Sequence, residues 1–80
     1  MPTIVAIKGV KICVYSNDHV PPHIHAIYNE YEALIDIRDF VVITGGLPSN
    51  KRKIVTTFVE ENQENLLVLF YQLNPNFQQL

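Results

Sequence analysis

Three histidines crowd into the stretch Ser16 to Tyr28, which reads SNDHVPPHIHAIY. His23 and His25 are spaced i, i+2. On a strand that spacing puts both imidazoles on one face, roughly 7 Å apart at the backbone. Three chemistries suit such a pair. The first is chelation of a divalent transition metal. Asp36 would be a third ligand from the neighbouring strand, with Asp18 and His19 supplied by the preceding loop. Imidazole and carboxylate together suit zinc, iron, nickel or manganese. The second is acid–base chemistry without a metal. Imidazole titrates near neutral pH, so His23 and His25 would act as base and acid, Asp36 would fix the tautomer of His23, and Tyr15 would assist. Such a group cleaves an RNA phosphodiester with the 2′-hydroxyl as nucleophile. Arg38 is the one arginine outside the start of the C-terminal helix to balance the phosphate charge. The third reading is structural: hydrogen-bonded, half-exposed histidines at a strand start, where a His–Asp cross-strand pair contributes about 0.2–1 kcal/mol.

A second cluster is Lys51-Arg52-Lys53. Cations in a first helical turn oppose the helix dipole. They also flank free backbone N–H groups, an arrangement that suits phosphate or nucleic acid. The alternative is a solvated helix start. Cys13 reads as a small packing residue, since nothing near it in sequence lowers its pKa. Asn62 reads as a polar residue that kinks a helix.

The elements that must position these groups follow from pattern. Thr3–Ile7 and Val10–Tyr15 are rich in β-branched residues and are separated by Lys8-Gly9, a two-residue hairpin turn. In that register Val5 faces Ile12 and Ile7 faces Val10, while Lys11, Cys13 and Tyr15 point the other way. Pro21-Pro22 forces an extended path into a third strand, His23–Tyr28. Asn29-Glu30 turns the chain, and Tyr31–Ile37 returns. Pairing Tyr28 with Tyr31 sets Ala26 against Ala33 and Ile24 against Ile35 on one apolar face. Ile27 then pairs with Glu32, His25 with Leu34, and His23 with Asp36 on the other. A slip of one residue would drive both histidines into the core. Phe40–Thr44 is a short fifth strand at an edge. Gly45-Gly46-Leu47-Pro48 ends the sheet, and Ser49 or Asn50 caps the helix. Val55, Phe58, Val59, Leu66, Leu69, Phe70 and Leu73 form one stripe, predicting a single helix from about 50 to 73; Asn62 sits mid-stripe, which leaves a kink or a break near Glu61–Gln63 as an open option. The fold class is α+β: an antiparallel meander of four or five strands, covered on one face by a long C-terminal helix, with the histidines on the opposite face.

Eighty residues make a single domain, 1–80, and 48% hydrophobic content supplies a core. A formal net charge of -2 argues against a strongly basic nucleic-acid-binding surface, although a local patch is compatible with it. One cysteine excludes an internal disulfide and a Cys-rich zinc site. The first residues, MPTIVAIKGV, meet Lys8 and Gly9 too soon for a signal peptide, and no apolar run is long enough to span a membrane. A cytoplasmic location is expected. The sheet edges of so small a domain make a homodimer an open option.

Met1-Pro2-Thr3-Ile4, Gly9, Ile12, Tyr15, Asp18-His19-x-Pro21-Pro22-His23-Ile24-His25, Glu30, Ala33, Ile35 and Gly46-Leu47-Pro48 resemble the small bacterial family of unknown function DUF4160 over nearly the whole chain. The D-H-x-P-P-H-x-H stretch is the most specific mark. Phe58 and Phe70 stand where that family often has tryptophan. The resemblance implies a cytoplasmic bacterial or phage-borne protein. It also implies a small partner encoded beside it, antitoxin-like or DNA-binding, and hence the toxin-like half of a two-protein module. It carries over no catalytic residue. A non-enzymatic module that binds its partner through the exposed sheet face, and a small metal-binding protein, are the alternatives.

Overall fold

The computed structural model describes residues 3–16 and 21–75. Five strands run β1 (Thr3–Ile7), β2 (Val10–Cys13), β3 (His23–Tyr28), β4 (Tyr31–Asp36) and β5 (Val42–Gly45), followed by helices α1 (Ser49–Glu61) and α2 (Gln63–Leu73). The strands form one antiparallel meander in the order β1-β2-β3-β4-β5. This is the α+β architecture that the alternation and the turn chemistry predict.

The β1–β2 turn has positive φ at both Lys8 (51°) and Gly9 (84°), the geometry whose twist matches that of the flanking strands. Asn29, at φ 52°, opens the β3–β4 turn. The β3–β4 register pairs Tyr28 with Tyr31, Ala26 with Ala33, Ile24 with Ile35, His25 with Leu34 and His23 with Asp36, as the alternation requires. Pairing between β2 and β3 sets Cys13 against His25 and stops there, so Tyr15 lies just past the end of β2 rather than inside it.

β5 starts two residues later than the run of apolar residues suggests. Asp36 N–H donates to the Val41 carbonyl and Phe40 N–H to the Asp36 carbonyl, so Phe40 and Val41 are used by the turn that follows β4. Phe40 sits at φ 61°, where a bulky residue is strained, and is held there by packing on the core.

The helical stripe breaks at Asn62 (φ -124°, ψ 23°) into two helices instead of one. The Asn62 amide nitrogen donates to the Phe58 carbonyl, and the Asn62 carbonyl accepts the Leu66 N–H as α2 begins. Neither Ser49 nor Asn50 caps α1. Its cap residue is Pro48, whose carbonyl accepts the Arg52 N–H, because buried Leu47 anchors the chain and Pro48 enters the helix directly from an extended path.

Val10, Ile12, Val14, Ile24, Ala26, Ala33, Ile35 and Ile37 of the sheet side pack with Val55 and Val59 of α1 and with Leu66 and Phe70 of α2 in one core. α1 begins over the β1–β2 turn, where Lys51 Nζ donates to the Lys8 carbonyl (2.8 Å). α2 crosses the other end of the sheet. Gln63 Nε2 reaches the Ile37 and Arg38 carbonyls, and Asn74 Nδ2 reaches the Tyr15 carbonyl. Among the described residues no helix is long and apolar enough to cross a membrane.

Candidate functional site

Pro21-Pro22 delivers His23 as the first residue of β3, and strand alternation puts His25 on the same side, away from Ile24 and Ala26. The Pro22 carbonyl accepts the Ile37 N–H, which locks this entry against the end of β4. The sheet face is not an open one here. His23 is only 1% exposed, and Cys13 and Asp36 are also buried. Because α2 crosses the strand ends, Phe70 reaches the His23 ring (5.7 Å between centroids). The expectation of exposed histidines therefore fails for His23, while His25 keeps 14% of its side chain exposed.

Three sequence-predicted residues come together. The His25 ring lies 4.5 Å from the Tyr15 ring, at 78° in an edge contact, and 5.1 Å from the His23 ring. Asp36 lies opposite His23 in register, but its carboxylate does not hold the imidazole. Asp36 Oδ1 accepts the backbone N–H groups of Arg38 (2.7 Å) and Asp39 (3.0 Å). A carboxylate at the last position of a strand finds its own turn's donors closer than a cross-strand ring. His23 Nδ1 instead meets the Pro21 carbonyl at 2.7 Å.

The carboxylate that does hold a histidine is Glu32. Its Oε2 is 3.2 Å from His25 Nδ1. Glu32 is the direct neighbour of Ile27 and only the diagonal neighbour of His25, so a search confined to direct register pairs passes over it. Diagonal positions on one face are within reach of long side chains, and that is the signal that finds it.

These partners fix the tautomers. A carbonyl can only accept, so His23 Nδ1 carries a proton; a carboxylate at His25 Nδ1 sets the same tautomer there. In the neutral rings Nε2 is then the basic nitrogen of each. A carboxylate-oriented imidazole beside a phenol is an arrangement able to take a proton at one atom and give one at another.

The remaining candidates separate from this group. Arg38 donates from Nη2 to the Tyr71 hydroxyl (2.7 Å), on the α2 side. Lys51 is engaged at the far end of the sheet by the Lys8 carbonyl and by the Tyr28 ring, 4.9 Å from its centroid, whereas Arg52 and Lys53 are exposed. Asp18 and His19 lie outside the described residues. Among the described residues no three His, Cys, Asp or Glu side chains gather in a group fit to hold a metal ion.

Neither a curated protein nor a solved structure matches the chain. Residues 9–70 match the model of a domain of unknown function, DUF4160, a span that takes in the meander from the β1–β2 turn onward, all three histidine positions, the whole of α1 and most of α2. The chain, with its Glu32–His25–Tyr15 group, belongs to the DUF4160 family.

Proposed function

We propose that this protein is the toxin-like component of a two-protein bacterial module, cytoplasmic, and that it cleaves RNA by acid–base chemistry centred on His25. The observation that carries this reading is the Glu32–His25–Tyr15 arrangement beside His23. His25 Nε2 takes the proton of a ribose 2′-hydroxyl as that oxygen bonds to phosphorus. The bond from phosphorus to the 5′-oxygen breaks, and the leaving oxygen takes the Tyr15 phenol proton. The products are a 2′,3′-cyclic phosphate and a 5′-hydroxyl end. His23, buried against Phe70, is a positioning residue that holds the His25 ring. Asp36 acts one step further out, by fixing the turn beside His23.

The test combines induction in bacteria with assay of the purified protein on RNA and on its 2′-deoxy counterpart. Wild type arrests growth and cleaves only the RNA. His25→Ala lowers the cleavage rate by roughly 10²–10⁴-fold, the usual contribution of a general acid or base. Equal arrest by His25→Ala, or cleavage of the 2′-deoxy strand, sinks the reading.

One observation favours a second reading, a non-enzymatic module that binds its small partner. β5 is an edge strand without a charged residue from Val41 to Gly46, and Val41 and Ile43 are 53% and 43% exposed. Edge strands are normally guarded by charge or proline, and an unguarded one accepts a partner's strand. In this reading His25→Ala leaves both growth effects and partner capture unchanged. A metal-binding protein is the remaining alternative, with His23 and His25 offering Nε2 to the ion. Elemental content of untagged protein tests it.

A further inference from the structure

Charge is segregated along this molecule. Five of its six lysines and arginines gather at the end of the sheet that carries the β1–β2 and β3–β4 turns. Lys8 is in the first turn, Lys11 is the second residue of β2, and Lys51, Arg52 and Lys53 open α1 above them. Two acids, Glu30 and Glu32, share that end. Asp36, Asp39, Glu60, Glu61 and Glu64 lie at the opposite end with Arg38. A net charge of -2 thus conceals a basic pole.

Aromatic rings are interleaved with these cations. Lys51 Nζ is fixed between the Lys8 carbonyl and the face of Tyr28. Tyr28 lies nearly parallel to Tyr31, at 16° and 6.4 Å between centroids. Tyr31 is 41% exposed, so its ring is open to a partner. The helix start pays for its cations, since α1 has no acid in its first turn and no side-chain cap to offset them. Arg52 and Lys53 make no ion pair that would justify their place there among the described residues.

We infer that this pole binds single-stranded nucleic acid, with Lys8, Arg52 and Lys53 on the phosphates and Tyr31 stacked on a base. Lys51 is the internal strut of the surface, and Tyr28 backs the exposed ring. Cations tracking a backbone beside an exposed stacking ring are the elements of sequence-tolerant single-strand binding. Tyr28 and Tyr31 lie on the Ala26–Ala33 face of the sheet, and His25 lies on the other face.

The experiment is fluorescence anisotropy of a short labelled 2′-O-methyl oligonucleotide, which offers no 2′-hydroxyl and stays uncut. Wild type binds at low salt, and log Kd varies with log salt with a slope magnitude of about 2, as expected for three phosphate contacts on a single strand. Arg52→Gln/Lys53→Gln lowers that slope by about 1.4. Tyr31→Ala weakens binding by at least about fivefold with the slope unchanged. Both sets of positions are exposed, and circular dichroism verifies the fold of each variant. The 2′-O-methyl strand is bound whether or not the protein cuts RNA, so failure of the RNA-cleavage reading leaves this result standing, and the reverse. Absence of binding at low salt, an unaltered slope in the double variant, or equal affinity for duplex of the same sequence overturns the proposal.

Discussion

Glu32 and Asp36 lie on one strand and on one face, with Leu34 between them, yet they do different work. Glu32 reaches across to an imidazole, whereas Asp36 turns back on its own backbone. The difference is one of position. At the strand end two turn N–H groups compete for the carboxylate, and mid-strand the backbone donors are already committed to the ladder. Asp36→Ala is therefore expected to destabilise the fold by roughly 1.5–3 kcal/mol, the net worth of a hydrogen bond to a charged group. Asp36→Asn, which keeps an accepting oxygen, retains most of that stability. Urea denaturation with an unchanged m-value is the measurement. An Asn variant as unstable as the Ala variant would show that the charge itself matters, and would restore Asp36 as a partner of His23. The His23–His25 proximity was legible in the sequence, because strand alternation puts those residues on one side; Tyr15, just past the end of β2, meets His25 because Cys13 pairs with it. The carboxylate partner was not legible, because direct register pairs conceal diagonal ones.

At the scale of elements, β5 depends on a single backbone position. Gly45 sits at φ 76°, and a Cβ there would fall 2.0 Å from the Glu32 carbonyl oxygen and 3.2 Å from the Ala33 Cα. That carbonyl also accepts the Gly46 N–H. Strain of positive φ and a backbone clash act together, and neither neighbour is a flexible side chain that could yield. Gly45→Ala is expected to cost more than about 2 kcal/mol and to free β5 from β4. Hydrogen exchange reports it, with amides of β5 losing protection while those of β3 keep theirs. Gly46→Ala is the control, since nothing lies within 4 Å of a Cβ there. Equal effects at the two glycines would contradict the argument. The pair Gly45-Gly46 marked the end of the sheet in the sequence, but which of the two is indispensable is visible only in how closely β5 approaches β4. The helix break shows the same limit. Asn62 in the apolar stripe pointed to it, whereas its resolution into two helices rests on the Asn62–Phe58 bond.

For the molecule as a whole, the open edge and the two charged ends define how it meets other chains. The order β1 to β5 leaves two edges, and α1 and α2 cover the core face rather than either edge. On β5 nothing discourages a further strand: no lysine, no proline and no charge between Val41 and Gly46. If a small partner protein adds a strand there, a single charge on that edge should block it. Ile43→Lys is the test, because Ile43 is among the exposed large hydrophobic residues and contributes little to the core. Its effect on stability is expected to stay within about 0.5 kcal/mol. Capture of such a partner should then fail. If the protein cleaves RNA as proposed, the isolated variant should do so unaltered, since Ile43 lies on the edge strand and His25 two strands away on β3. A variant that still captures its partner would move the interface away from β5, to the β1 edge or to the exposed α2 surface around Val68. Loss of the partner with cleavage retained would place regulation and chemistry on different surfaces of one small sheet, a division that would let a partner be exchanged without disturbing the proposed catalytic group.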